Sequence, residues 1–397
     1  MRGVTVPVAS RATLGRQSDA FNIPQGVHYL NCAFMSPLLR EVEEAGVEGL
    51  RRKRRPFEIG PQDFFEDSDR LREAFASLVG AADPGRVAIV PSVSYGITAV
   101  ARNLATPPGS RIVVLAEQFP SNVYPWRRLA ADRHLVLWTV QAPATAGSRG
   151  QAWNEALLES IDASTSVVAL PHYHWMDGTR FDLEAVARRA REVGAALIID
   201  GTQSVGAVPF DLSTVRPDAL VCAGYKWLLG PYSLGLAWYG SRFDDGVPLE
   251  ETWAARPESD DFRRVGEYRD DYRPGAARYD VGERANFILV PMQLAAIRRI
   301  LDWSPEAIQE YCRTITCGPL AEASSLGVSV EDEAWRGSHL FGLRLPPGID
   351  TARLGPELEA RSICVSLRGS AVRVAPHLYN GEEDVRALVE ALRSILG

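Results

Sequence analysis

The segment Asp200-Gly-Thr-Gln-Ser-Val-Gly206, followed by Ala223-Gly-Tyr-Lys-Trp-Leu-Leu-Gly-Pro231, places an acid and a lysine at the ends of two apolar runs. Asp200 closes the run Ala195-Ala-Leu-Ile-Ile, which is typical of a buried strand. A carboxylate in that position costs free energy unless it meets a cation. Lys226 lies on a glycine-flanked turn, where partial desolvation lowers the pKa of a lysine and makes its amine nucleophilic.

Two interpretations of this pair fit the two residues by themselves. One is a structural ion pair, or two unrelated polar residues at strand ends, and the pair alone favours it. The other is a cofactor site, because pyridoxal phosphate requires a lysine for its Schiff base and an acid beside its pyridine nitrogen. The rest of the chain decides between them.

Several further motifs favour the cofactor site, since their order along the chain resembles that of the class V aminotransferases. This family includes cysteine desulfurases and kynureninases, which are pyridoxal-phosphate enzymes of fold type I. Besides the two segments above, the resemblance is carried by Leu30-Asn-Cys-Ala33, Ser92-Val-Ser-Tyr-Gly96, Glu117-Gln-Phe-Pro-Ser-Asn122, Tyr279-Asp-Val-Gly282 and Arg373-Val-Ala-Pro-His-Leu-Tyr-Asn380. It covers nearly the whole chain from residue 27 onward.

Composition describes an ordinary globular chain of 397 residues, long enough for two domains. Its net charge of −7 argues against nucleic acid or an anionic membrane as a main partner, and the basic run 51–55 is typical of a solvated helix end. The five cysteines form no CxxC pair, which indicates neither a zinc site nor a disulfide framework. We therefore expect a cytoplasmic protein that spans no membrane.

Short apolar runs alternate with helical patterns, which predicts an α/β fold with a mainly parallel sheet covered on both faces. The predicted strands of the large domain are residues 87–90, 112–115, 135–140, 166–170, 196–199, 219–222 and 234–238, seven in all. A smaller α+β domain follows, with strands at 328–330, 340–345, 363–367 and 371–374. We expect an N-terminal arm (1–26), a large cofactor domain (27–285) and a small C-terminal domain (286–397).

Polar segments follow the predicted strands, and parallel sheets bind ligands at the carboxyl ends of their strands. Residues 92–96, 118–119, 172–178, 200–203 and 223–226 should therefore meet at one edge of the sheet. The resemblance implies that Lys226 forms the Schiff base and moves protons at Cα, that Asp200 keeps the pyridine nitrogen protonated, and that Gln203 bonds the phenolic oxygen.

The phosphate is expected at the start of a helix, where Ser92, Val93 and Ser94 offer backbone N–H groups and a hydroxyl. Serine before a helix is also an ordinary N-cap. Tyr225 replaces a histidine of the family and is expected to reach the phosphate. Ala223 stands where the family often has a serine, and Arg284, from this subunit or a partner, is a candidate for the missing contact.

Substrate contacts are expected from the aromatic residues and the C-terminal arginines. Phe119 stands where desulfurases stack a histidine on the cofactor ring, and Trp175 replaces an asparagine near the phenolic oxygen. Arg373 aligns with the arginine that binds the substrate α-carboxylate. Arg368 either assists it or forms a structural ion pair, and Asn31 is a further candidate.

Two other kinds of site receive no support. His172, His174 and Asp177 lack a convincing further ligand for a metal, so we predict none. Desulfurases carry a mobile cysteine between the strands of the two arginines, but the link 369–372 has none. Cys364 lies in an apolar run and is expected to be a buried strand residue.

The expected reaction is a β-elimination on an amino acid, with C–S cleavage among the options. Transamination to a keto acid, epimerisation, kynureninase-like hydrolysis and a non-catalytic cofactor-binding scaffold remain as alternatives. Because family members build their sites at a dimer interface, we expect a homodimer.

Overall fold

The computed structural model describes residues 14–144, 148–349, 354–369 and 371–396. Half of the predicted N-terminal arm, residues 1–13, and Ser370 of the cysteine-free link lie outside the described residues. In chain order the strands are β1 (His28–Tyr29), β2 (Val87–Val90), β3 (Arg111–Leu115), β4 (Val136–Val140), β5 (Thr165–Pro171), β6 (Ala196–Asp200), β7 (Ala219–Ala223), β8 (Gly235–Tyr239), β9 (Ser329–Val330), β10 (Phe341–Arg344), β11 (Ile363–Cys364), β12 (Ser366–Arg368) and β13 (Ala371–Val374).

Helices connect these strands and cover both faces of the large sheet. They are α1 (Arg40–Arg52), α2 (Glu66–Leu78), α3 (Val93–Asn103), α4 (Tyr124–Arg133), α5 (Arg149–Ser160), α6 (Leu183–Val193), α7 (Leu212–Val215), α8 (Leu289–Trp303), α9 (Pro305–Ser325), α10 (Leu354–Ala360) and α11 (Glu382–Leu396). Side-chain caps begin several of them: Asp182 accepts from the N–H of Ala185 at the start of α6, and Gly194 ends that helix in the left-handed conformation. None of the described helices is long and apolar enough to cross a membrane.

The large sheet holds seven strands of the described chain in the order β2-β8-β7-β6-β5-β3-β4. β8 runs antiparallel to both neighbours and the other six run in one direction. Alternate residues of each central strand enter different cores, because successive side chains point to opposite faces. Leu197 and Ile199 of β6 pack with α2, α6 and α8, whereas Ala196 and Ile198 pack with α3 and α4.

The C-terminal region forms a second, four-stranded antiparallel sheet in the order β12-β13-β10-β9, packed on α9 and α11. The predicted single strand 363–367 is wrong: Val365 separates two strands that belong to different sheets. β11 pairs in parallel with β1, and β12 pairs antiparallel with β13. This pairing brings the segment around Asn31 beside the C-terminal sheet, where Asn31 bridges to Ala375.

The predicted fold class is confirmed, both in the number of strands of the large sheet and in the smaller α+β unit. The strands 87–90 and 371–374 have the predicted bounds, and the other strands of the large sheet differ by one residue at one or both ends. The sequence pattern does not predict the long helix α9, which contains Pro319 directly after a glycine. The domain boundaries remain predictions, because one hydrophobic core joins residues of both predicted units.

Candidate active site

Asp200 and Lys226 lie at the carboxyl ends of two neighbouring parallel strands. Asp200 is the last residue of β6, and Lys226 follows β7 on a turn closed by hydrogen bonds from Gly224 to Leu234 and from Gly230 to Gly224, both 2.9 Å long. Each side chain is only 6% exposed. Strand pairing therefore brings together two charges that are far apart in sequence.

A cavity of about 320 Å³ opens beside this pair. It brings together nine of the predicted site residues, which are Ser92, Val93, Ser94, Phe119, Trp175, Asp200, Gln203, Tyr225 and Lys226. The predicted convergence at one sheet edge therefore matches the geometry of the described chain, although the role of each residue stays a prediction.

Burial sets the charge states of the central pair. It lowers the pKa of Lys226 to about 8, an effect that Asp200 opposes and Arg373 reinforces. It also raises the pKa of Asp200, against the stabilising effect of Thr202, whose N–H donates to Oδ1 at 3.0 Å, and of Lys226. A protonated pyridine nitrogen is a suitable partner for this buried carboxylate, and the lysine amine is available in its neutral form near neutral pH.

The side chain of Gln203 is oriented by a residue that sequence reasoning missed. Trp227, fully buried, donates its indole N–H to Oε1 of Gln203 at 2.7 Å, and Nε2 of Gln203 donates to the carbonyl of Ala33 at 3.2 Å. Because an indole nitrogen only donates, the amide oxygen must face Trp227. The remaining N–H of the amide is free for an acceptor such as a phenolic oxygen. A tryptophan directly after the lysine was the available signal, since a buried indole requires a partner.

The other end of the cavity is rich in hydroxyl groups. Ser92 caps α3 and accepts from the N–H of Tyr95, and its Oγ lies 2.9 Å from Oγ of Ser94. Three hydroxyl-bearing residues that the sequence did not single out, Ser121, Tyr232 and Ser233, also line the cavity. A helix N-terminus with serine hydroxyls fits a phosphate, and Asp200 and Lys226 line the same cavity, as a site for pyridoxal phosphate requires.

Aromatic rings form the wall over the lysine. The Phe119 ring centroid is 5.3 Å from Nζ of Lys226 and 5.4 Å from the ring of Trp175, which it meets edge to face. The indole N–H of Trp175 donates to the carbonyl of Glu117 at 2.7 Å, so this ring is held in place. Phe119 therefore presents a flat, partly exposed ring to the cavity. Its stacking on the cofactor ring stays a prediction.

Arg373 is a buried cation beside the cavity, although it does not line the cavity itself. Its Nη1 donates to the carbonyl of Trp175 at 2.8 Å, and its Nη2 donates to Ser366 at 3.1 Å and to Oδ1 of Asn31 at 3.2 Å. Burial and the neighbouring Arg368 lower its pKa to about 10. Among the described residues no carboxylate forms an ion pair with it. Asn31 helps to hold the guanidinium in place, and its predicted contact with the substrate stays a prediction.

Arg284 does not line the cavity of its own subunit, and a contact with the phosphate across a subunit interface stays a prediction. Its side chain is 2% exposed, donates to the carbonyl of Ala254 at 2.9 Å and lies 3.4 Å from the carboxylate of Asp280. It borders a different cavity, next to Trp253 and Phe287. The sequence placed it near a family motif, but the buried Asp280 binds it instead.

Asp177 and His174, considered above as metal ligands, contact other groups of the protein. Asp177 forms ion pairs with Arg149 and Arg344, and His174 faces the carbonyl of Ala116 at 3.2 Å. Cys364, expected to be buried, is in fact half-buried, because its strand is an outer two-residue pairing with β1.

Comparison with known proteins agrees with this geometry. The sequence model of the family described as aminotransferase class V matches residues 61–250. An uncharacterised aminotransferase of Bacillus subtilis is 26% identical over 335 residues, which cover 83% of this chain and 84% of the relative. Isopenicillin N epimerase of Amycolatopsis lactamdurans is 26% identical over 410 residues, 95% and 97% of the two chains. Kynureninase of Burkholderia pseudomallei is 31% identical over 224 residues, 54% and 50% of the two chains.

Solved structures share the fold. A complex of the cystine C-S lyase C-DES with cysteine persulfide has a TM-score of 0.81 at 19% identity and covers 94% of this chain and 98% of its own. The cysteine desulfurase of Thermococcus onnurineus NA1 has a TM-score of 0.78 at 18% identity, covering 97% and 99%. The sequence match assigns residues 61–250 to the class V aminotransferase family, and with the site geometry and the shared fold it identifies the protein as a pyridoxal-phosphate enzyme of fold type I.

Proposed function

We propose that this enzyme is a β-elimination lyase, which removes the Cα proton of an amino acid and expels a leaving group from Cβ. The observation that carries the proposal is that Lys226 is the only basic side chain among the described residues lining the cavity. When bound, pyridoxal phosphate supplies the electron sink that makes the Cα proton acidic. The protein has to supply a base, a group that holds the substrate carboxylate in place, and a site from which water is excluded.

We assign the holding of the cofactor to four side chains. Asp200 takes the pyridine nitrogen, Gln203 the phenolic oxygen, and Ser94 with the first N–H groups of α3 takes the phosphate. Phe119 covers the ring. Burial of Asp200, the oriented amide of Gln203 and the capped helix start at Ser92 support these assignments.

Lys226 is the base in this proposal. A lysine with a pKa near 8 has a substantial neutral fraction at physiological pH, whereas an ordinary lysine has almost none. Arg373 fixes the α-carboxylate through its planar pair of N–H donors, which limits rotation of the Cα–H bond relative to the lysine amine. The proton is thereby taken from one side of the substrate, the side of Lys226.

The same arrangement speaks against two alternatives. Epimerisation requires proton delivery to both faces of Cα, and the described residues that line the cavity include no basic side chain besides Lys226. Desulfuration requires a nucleophilic cysteine, and the link 369–372 contains none. Polarisable sulfur packs well against aromatic rings, so we include a thiolate among the leaving groups.

Transamination is the second candidate, favoured by the relative named as an aminotransferase. It would use the same base and leave the side chain of the substrate intact, with pyridoxal phosphate taking up the amino group. The two reactions differ in their products and in the final state of the enzyme, which makes them separable.

The test compares β-chloro-L-alanine with L-alanine, which lacks a leaving group. A lyase is expected to form pyruvate and ammonia in equal amounts over many turnovers from the chloro compound, with its visible absorbance retained. A keto acid formed once per active site, without ammonia and with loss of the visible band, would instead establish transamination. Formation of the D-isomer would establish epimerisation, and no spectral change with either compound would indicate a scaffold.

We also infer that the enzyme is a homodimer. Large apolar side chains are exposed on α1 and next to it: Leu50 is 62%, Phe57 78% and Phe34 57% exposed. Exposed apolar side chains of this size, on a helix and in the segments that flank it in the sequence, favour a protein interface.

We place the enzyme in the cytoplasm on the basis of its thiols. All five cysteines are free, and Cys32, Cys222 and Cys312 are buried. A chain with unpaired thiols suits a reducing compartment.

A further inference from the structure

A second arginine lies beside the proposed reaction site, next to the one assigned to the α-carboxylate. Arg368 ends β12, and its guanidinium carbon is 5.2 Å from the ring centroid of Trp175. Arg373 contacts the same residue through the carbonyl of Trp175. Both arginines therefore border Trp175, a wall of the cavity.

The strand register explains why the two arginines share one side of the small sheet. Ser366 lies opposite Arg373 in the β12–β13 pairing and accepts a hydrogen bond from it. Arg368 is two residues further along β12, so its side chain leaves the strand on the same face as Ser366. The spacing between these two positions is about 7 Å along the strand.

Arg368 has no acidic partner among the residues that the structure describes. Its Nη1 donates only to the neighbouring carbonyl of Leu367 at 3.2 Å, and its Nε is buried without a hydrogen-bond partner. The interpretation of Arg368 as half of a structural ion pair therefore finds no carboxylate in the described chain. Desolvating part of a guanidinium without a partner costs free energy, which a bound anion would recover.

The charges near the cavity are unbalanced. Lys226, Arg368 and Arg373 are three basic groups, and Asp200 is the acid among the described cavity-lining residues. Arg368 contributes, with Arg373, to lowering the pKa of Lys226, and it also lowers the pKa of Arg373, which reflects how close the three groups lie. An α-carboxylate neutralises one arginine and leaves the other.

We propose that Arg368 binds a second negative charge on the substrate, so that the enzyme acts on amino acids whose side chain ends in an acidic group. This inference rests on the proposed reaction at Cα and specifies its substrate class. The α-carboxylate occupies Arg373, and the acidic end of the side chain reaches Arg368 along the wall formed by Trp175. In the elimination, Lys226 takes the Cα proton, the Cβ–sulfur bond breaks, a Cα=Cβ bond forms, and the thiolate leaves together with its acidic group. Water then hydrolyses the released unsaturated amino acid to pyruvate and ammonia.

A matched pair of compounds tests this inference on the holoenzyme. S-carboxymethyl-L-cysteine and S-carbamoylmethyl-L-cysteine differ only in an acid or amide at the end of the side chain. Dissociation constants come from titrating the visible spectrum of the bound cofactor, and kcat/KM from pyruvate release. The wild type is expected to prefer the acid about tenfold or more in both measurements, as is typical of charge-assisted hydrogen bonds.

Two variants make the test specific. Arg368→Gln should abolish the preference for the acid, so that the acid binds no more tightly than the amide, whereas Arg373→Gln should weaken the binding of both compounds alike. Equal affinities in the wild type, or a preference that survives in Arg368→Gln, would overturn the inference. Cleavage of the acid and the amide at equal rates would overturn the inference about Arg368 and leave the lyase proposal standing. Release of a keto acid without thiolate from either compound would refute the lyase proposal alone.

Discussion

At the scale of single residues, the burial of Lys226 explains its chemistry. The turn that carries it places the amine beneath Phe119 and beside Asp200, where desolvation lowers its pKa to about 8 from an ordinary value of 10.5. The neutral amine is the form that attacks an aldehyde and accepts a proton. The reactivity of Lys226 should therefore increase as the pH rises.

The rate at which the cofactor-free protein binds pyridoxal phosphate covalently should rise with pH and level off above about pH 8. Below that value the neutral fraction of Lys226 falls about tenfold per pH unit, and the rate should fall with it. Stopped-flow measurement of the growing visible band gives the profile. A rate that keeps rising to pH 10 would mean that the lysine has an ordinary pKa.

Trp227 is expected to act through Gln203. Trp227→Phe removes the donor to a buried amide oxygen, which should lower the free energy of unfolding by about 1–3 kcal/mol. Because the amide is then free to rotate, the visible spectrum of the bound cofactor and its pH dependence should also change.

Trp153→Phe is a matched control for that variant. Trp153 is equally buried and donates to the carbonyl of Val140 at 3.2 Å, away from the cavity. The Trp153→Phe variant should lose stability without a change in the visible spectrum of the bound cofactor. An unchanged spectrum in Trp227→Phe would remove Trp227 from the site.

At the scale of elements, the sequence predicted those strands whose apolar runs end in polar or glycine-rich turns. Asp200 and the Gly224–Gly230 turn mark the ends of β6 and β7 in this way, so the edge that carries the site was predictable. The division of residues 363–367 between two sheets was not, because both halves are apolar and only pairing with the distant β1 separates them. Helix α9 was missed because Gly318-Pro319 is typical of a helix end.

The turn between β7 and β8 depends on Gly224. A Cβ at this position would lie 2.4 Å from the carbonyl oxygen of Leu234 and 2.2 Å from Oε1 of Gln293. Gly224→Ala should therefore lower the free energy of unfolding by about 1–3 kcal/mol and shift Lys226 enough to weaken covalent cofactor binding.

Gly266→Ala serves as the control, since nothing lies within 4 Å of its added Cβ. It should change the free energy of unfolding by less than about 0.5 kcal/mol. Chemical denaturation and the intensity of the visible band measure both effects. Full cofactor binding by a stable Gly224→Ala variant would show that the turn tolerates a side chain.

At the scale of the whole molecule, sequence motifs located the cavity but not every contact. The distance of Arg284 from the cavity of its own subunit was not predictable, because its position in the motif order says nothing about Asp280, which binds it in the folded chain. Trp227 and Ser366 were missed for the opposite reason: they act through other side chains, and such contacts follow from packing alone.

The homodimer should be measurable by light scattering after size exclusion, with a mass of twice 43.5 kDa. Leu50→Glu replaces an exposed apolar side chain of α1 with a charge and should shift the protein toward the monomer. Val247→Glu, at a residue 59% exposed elsewhere on the surface, should leave the dimer intact. A wild-type mass of 43.5 kDa would contradict the inferred interface.

The central claim is that Lys226 takes the Cα proton of a bound amino acid, and proton exchange measures this most directly. The enzyme is incubated with L-alanine in deuterated water, and the Cα–H signal is followed by proton NMR. Wild-type enzyme is expected to replace the proton with deuterium while retaining the L configuration, and Lys226→Ala, loaded with pyridoxal phosphate, should do so at least about a hundredfold more slowly. Exchange at the wild-type rate in Lys226→Ala would contradict the claim.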